Sequence, residues 1–235
     1  MAETLQHAKV AESLPATRGF PLWLRVAFWI CIAIAVAVVV RRLVALAHPS
    51  PSGPPQLVQL DSFFASHAAL TLAHIIPALL FVLTVPLYYL RRFADSSHLN
   101  RRIKHILFLL GTIVGITAYA MSTHAVGGWI ERSAVLFFNS LFLYALCRSF
   151  LYSRQHNRTL TRRWMTRAIG ILLGIATTRP VMGIFFATSP LTHLEPTDFF
   201  GIAFWIGFSL NTLLVELWLR RPSTEALLER MEPRV

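Results

Sequence analysis

The sequence predicts an all-α integral membrane protein: a six-span transmembrane helical bundle with both termini in the cytoplasm (N-in/C-in). Three observations carry this fold class. Of the 235 residues, 55% are hydrophobic and only 14% are charged, whereas soluble domains carry about 25% charged residues. The apolar residues gather into six runs, each close to the roughly 20 residues that a bilayer requires. Arginines crowd alternate connections between those runs, the asymmetry that orients a chain in a membrane.

The elements follow in order. Residues 1–21 are expected to form a cytoplasmic segment before the first span, Leu22–Val40. Ala45-Leu46-Ala47 resembles a leader-peptide cleavage site. Such a leader would be unusually long, and Arg41 and Arg42 interrupt the approach to it, so the span is expected to be retained. The stretch "HPSPSGPPQLVQ" reads as an irregular extracytoplasmic connector, given its prolines and glycine. The remaining spans are expected at Phe64–Leu90, Ile103–Ala125, Ser133–Tyr152, Met165–Ala187 and Phe199–Leu219. Residues 22–219 thus make one transmembrane domain. The tail, 220–235, reads as a short cytoplasmic helix capped at Ser223 or Thr224.

Orientation comes from the connections. Arg91, Arg92, Arg101, Arg102 and Lys104 occupy the second, and Arg154, Arg158, Arg162 and Arg163 the fourth. Arg220 and Arg221 follow the last span, while the third and fifth connections offer only Glu131 with Arg132, and Glu195 with Asp198. Arg41 and Arg42 oppose this assignment and are outvoted.

The formal charge of +11 does not point to nucleic acid, because the basic residues lie in short loops between spans and not on one patch. Their partner is the lipid bilayer, with anionic headgroups as a second attraction. Cys31 and Cys147 both fall in apolar runs, which argues against a structural disulfide and is too few for a thiolate metal site. A nucleophile elbow, a His-Glu-x-x-His zinc motif and a phosphate loop are all absent from the sequence, so hydrolytic chemistry finds no support.

Two patterns bear on packing. Gly111-xxx-Gly115 and Gly170-xxx-Gly174 allow close approach of helix backbones, and suggest a contact between the third and fifth spans. "RRIKHILFLLGTIVG" and "RRWMTRAIGILLGIA" resemble each other faintly, as two helix pairs related about the membrane normal would. Basic loops ahead of apolar spans also look alike without any repeat.

The polar groups within the spans are the candidates for function. His67 and His74 are seven residues apart, about two turns, and would share one face of a continuous helix. His74 falls about 15 Å deep. His124 ends the third span, and His105 lies in the same span near its cytoplasmic start. Arg179 lies in "ATTRPVMG" at a depth close to that of His74, where a charge is costly and faces a bundle interior or polar cavity. Pro180 frees a carbonyl beside it.

Several readings fit these residues. In the first, histidines on facing helices ligate haem b for electron transfer with a redox or membrane-complex partner. His74 and His124 are then the ligands, or His67 with His124, which match better in depth. Arg179 meets a propionate, and His105 serves a second site. In the second reading, the outer histidines, His74 and His124 among them, bind zinc or copper. In the third, the same residues line a transport path for protons or a small molecule without any cofactor. The plain alternative is a structural or assembly protein whose histidines only bond neighbouring helices.

The order "AHIIPALLFVLTVPLYYLRR", "HLNRRIKHILFLLGTIVGITA", "HAVGGW", "RRWMTRAIGILLGIATTRP" resembles a family of bacterial predicted membrane proteins grouped as domain of unknown function 2306. The resemblance covers roughly residues 64–186. It rests on His74, His105, His124 with Gly127 and Gly128, then Trp164, Met165 and Arg167, then Arg179. The family often has a histidine three residues before that tryptophan, where this chain has Thr161. The resemblance implies a multi-pass protein of the bacterial inner membrane and supports this choice of residues. It implies no reaction.

Overall fold

The computed structural model describes residues 22–48, 54–89 and 97–220. The segment 1–21, the tail helix beyond Arg220, and Arg91, Arg92 and Arg221 lie outside those residues. The described chain forms seven helices and contains no strand: α1 Leu22–Ala47, α2 Pro55–Ser66, α3 Ala68–Tyr89, α4 Ser97–Ser122, α5 Gly128–Arg154, α6 Arg158–Thr192 and α7 Pro196–Leu219. All but α2 are long and apolar enough to cross a membrane. The protein is therefore an all-helical, six-span membrane protein.

Local chemistry sets the helix limits. The side chain of Asn157 accepts from the Leu160 amide at 3.0 Å and starts α6. Glu195 and Asp198 form a reciprocal capping box around Pro196 at the head of α7, which satisfies amides the helix leaves open. With 35 residues, α6 is about 52 Å long and overruns a hydrocarbon core of about 30 Å.

The first connection departs from expectation, because much of it is the helix α2. Pro55 sits in its first turn, where a proline's fixed φ favours helix and its missing N–H costs nothing. Leu57, Leu60 and Phe64 then fall on one side at helical spacing and face inward. The helix ends at His67, at φ −121° and ψ 38°, and α3 begins anew. His67 and His74 are therefore not on one continuous helix.

The first helix runs through Arg41 and Arg42, which the topology rule could not place. Both are bound by Asp61 of α2: Arg41 donates to its two oxygens at 3.2 and 3.0 Å, and Arg42 donates at 2.6 Å. The Arg42 guanidinium also lies over the Phe64 ring at 4.0 Å. Charge pairing and ring stacking hold two arginines where the positive-inside pattern would not put them.

Packing closes a circuit. α1 packs on α3, α3 on α4, α4 on α5, α5 on α6, and α6 back on α1. α7 lies outside this ring against α6 and α5. The glycine pairs serve different neighbours from those expected. Gly111 faces Leu146, Phe81 and Phe142, and Gly115 faces Leu143, so both sit against α5 or α3. Gly170 faces Val215, and Gly174 faces Phe208, so both sit against α7. The expected contact between the third and fifth spans is replaced by two hairpin contacts, α4 with α5 and α6 with α7. Each hairpin also has an asparagine donating to a glycine carbonyl: Asn139 to Gly115 at 2.9 Å, and Asn211 to Gly170.

At the end of the bundle away from α2, the Trp-Met-x-Arg stretch is structural. Met165 is fully buried. Arg167 grips Glu216 of α7 with two bonds, at 2.8 and 3.2 Å. The guanidiniums of Arg148 and Arg167 both lie over the Trp164 ring, 5.2 and 4.7 Å from its centroid.

Candidate functional site

The helices line a partly open cavity of about 420 Å³, within the range of small-molecule sites. It lies between two apolar clusters. One fills the bundle around Phe81, Val85, Leu107, Phe142 and Met165. The other caps the α2 end with Leu60, Met182, Phe199, Phe200 and Ala203.

The cavity's wall is mainly apolar, and its polar groups gather toward α2. They include Arg41, Arg42, Thr71, His74, Ser122, His124, Glu131, Asn139 and Arg179. Three of the five expected site residues, His74, His124 and Arg179, thus face one space. His67 reaches it indirectly: its ring lies against that of His124, tilted by 46° with centroids 4.1 Å apart. His105 does not join them; it is exposed on α4 and lines no part of the cavity.

Arg179 is held by the backbone around it. Thr178 is fully buried, and its main chain meets Gly207 of α7 so closely that a Cβ there would lie 2.6 Å from the Thr178 nitrogen. That approach fixes the rotation of α6 and turns the next residue, Arg179, into the cavity. Pro180 removes the amide that would bind the Ala176 carbonyl, and Ala176 lines the same space. The guanidinium finds little there. One terminal nitrogen rests 3.6 Å from the Met182 sulfur, and the buried Nε has no partner. Among the described residues no carboxylate lies within ion-pair distance. Glu131 acts on the charge from further off, opposed by Arg42 and Arg41. The Glu131 carboxylate is itself held by the Gly127 amide at 2.7 Å, at the positive end of α5.

The sequence reading named Glu131 only as a residue of the third connection and set Arg41 and Arg42 aside as a topological exception. The structure puts Glu131, Arg41, Arg42 and Arg179 around one cavity. Their signal was available in part: two arginines that break the charge rule call for a local partner.

The histidines divide by role. His74 Nδ1 is 2.9 Å from the Thr117 hydroxyl, which ties α3 to α4, while its ring still borders the cavity. His124 Nδ1 is 2.8 Å from Thr123 Oγ1, and His67 Nδ1 is 3.0 Å from Ser66 Oγ. The His67 and His124 rings touch, so no porphyrin plane fits between them in this arrangement. Axial ligands on opposite sides of a metal, with bonds of about 2 Å, would hold their nitrogens alone about 4 Å apart. Among the described residues no three His, Cys, Asp or Glu side chains come together as metal ligands, and both cysteines are free.

Residues 71–219 match the model of a family described as predicted membrane protein (DUF2306). The match takes in α3 to α7, with His74, His105, His124, Glu131 and Arg179, and begins after Arg41, Arg42, Asp61 and His67. No curated protein and no solved structure matches this chain. Covering well over half of the residues, the family match establishes that this chain belongs to the DUF2306 family of predicted membrane proteins.

Proposed function

We propose that this protein binds a small amphipathic molecule within the bundle and passes it along a path that uses His74, His124 and Arg179 without a cofactor. It would do so in the bacterial inner membrane with both termini in the cytoplasm, the orientation the basic connections favour. The observation that carries the reading is Arg179: a guanidinium with an unpartnered Nε, turned into a mainly apolar cavity of about 420 Å³. An intramembrane charge facing a cavity is by default a substrate contact.

Haem ligation is the second reading, and one observation favours it. His74 and His124 border the same cavity, and the Nδ1 bond of His74 leaves Nε2 as its ligating atom, an arrangement common among metal-bound histidines. Against it stands the close contact of the His67 and His124 rings, 4.1 Å apart between centroids. A gentle detergent extract of native membranes decides between the two. Mass spectrometry of the intact protein is expected to show a bound organic molecule in one-to-one ratio, and the visible spectrum is expected to stay flat with and without dithionite. A Soret band that sharpens on reduction, and disappears in His74→Ala, would replace passage by electron transfer.

A further inference from the structure

We infer that the ligand of this cavity carries a single oxyanion head, a carboxylate or phosphate monoester, on one apolar tail. The inference rests on the cavity being a ligand site and adds the chemistry of what enters it.

Charge around the cavity's polar end selects the head. Three guanidiniums, Arg41, Arg42 and Arg179, are set against two carboxylates, Asp61 and Glu131. Asp61 is fully used, because both its oxygens accept from Arg41 and Arg42. Glu131 is committed to the Gly127 amide. The five groups sum to one net positive charge, and Arg179 is the guanidinium among them with an unpartnered Nε. A guanidinium offers planar, forked donors suited to a carboxylate or phosphate. A cationic head would meet the same surplus as repulsion.

The walls select the tail. From His74 to Val82 along α3, and from Arg179 back to Ile171 along α6, both helices line the cavity over nine residues, a depth of about 12 Å. Along that depth the polar side chain is Asn139, which gives one N–H to the Gly115 carbonyl. Past it the lining is apolar, with Leu79, Val82, Phe142 and Ile171, so a second polar group at the far end of the ligand would be buried unpaired, which is costly. The site suits a molecule with one wet end.

The test uses the purified full-length chain and four probes with the same ten-carbon tail: decanoate, decyl phosphate, decanol and decyltrimethylammonium. Decanoate or decyl phosphate, or both, should raise the melting temperature on the order of 5 °C at about a hundredfold excess over Kd. Decanol and the ammonium should not, and Arg179→Gln should remove the response. Which of the two anions acts more strongly separates a carboxylic acid from a phosphate monoester. Ala78→Phe, which fills the tail space and leaves every charge in place, should also remove it; if Arg179→Gln does not fold, this variant and Arg179→Lys, expected to keep the response, carry the test. Equal stabilisation by decanol and decanoate would overturn the oxyanion head and leave the cavity reading standing. No stabilisation by any probe would overturn both.

Discussion

Arg179→Met is expected to make the unliganded protein more stable. A guanidinium at membrane depth costs about 2.5–3.5 kcal/mol on insertion scales. Here the fold recovers little of that cost, since the group makes one weak contact with Met182 and leaves its Nε unpaired. Methionine keeps much of the volume and removes the charge. The expected gain is about 1–3 kcal/mol, seen as a rise in melting temperature of roughly 2–10 °C. The companion variant Glu131→Gln has the opposite sign. It takes from Arg179 the carboxylate that acts on it, weakens the hold on the Gly127 amide, and should lower the melting temperature. A residue whose removal stabilises the fold is one kept for what it does. If Arg179→Met melts lower than the parent protein, Arg179 is a structural tether and the cavity loses its functional argument.

Gly207→Ala is expected to be among the most damaging single-methyl changes in the protein. The added carbon would lie 2.6 Å from the Thr178 nitrogen and 2.7 Å from its Cα. Neither atom can turn aside, so α7 must move off α6, and overpacking of this kind costs about 1–3 kcal/mol. Gly201→Ala meets the Glu131 nitrogen at 2.6 Å and should behave alike. Gly111→Ala meets first the tip of Leu146 at 2.8 Å, a side chain free to change rotamer, and should cost less. Denaturation in detergent, read by near-ultraviolet circular dichroism, gives the order. Because Thr178 precedes Arg179, Gly207→Ala should also weaken any ligand response that Arg179 supports. Should Gly111→Ala prove the costlier change, the α6–α7 contact does not set the rotation of α6.

The sequence and the structure agree where one physical signal dominates. Six apolar runs had to be helices in a membrane, because hydrocarbon leaves no other way to satisfy a backbone within one segment. Depth counting along those helices gave His74 and Arg179 similar levels, and the structure sets both against one cavity; it also matched His67 to His124, whose rings lie 4.1 Å apart. What stayed hidden depends on pairs of residues distant in the chain. Pro54, Pro55 and the glycine before them read as a loop, yet Pro55 opens α2, and Leu57, Leu60 and Phe64 hold that helix over the cavity. Asp61 explains Arg41 and Arg42 only once α2 is folded back on α1. Gly111, Gly115, Gly170 and Gly174 were visible as a spacing, but spacing names no partner, and Gly201 and Gly207, which touch backbone, had no pattern to mark them. Glu131 looked like a loop residue until the start of α5 turned it inward.

The most direct measurement of whether these groups serve one ligand is photoaffinity labelling with a decanoic acid that carries a diazirine on its chain, followed by peptide mapping. The account predicts labels on residues 74–82 and 171–186, displaced by unlabelled decanoate and absent from Arg179→Gln. Labels confined to outward-facing positions such as Leu109, Ile116 and Leu213, which are 63%, 62% and 60% exposed on the bundle surface, and not displaced by decanoate, would contradict it.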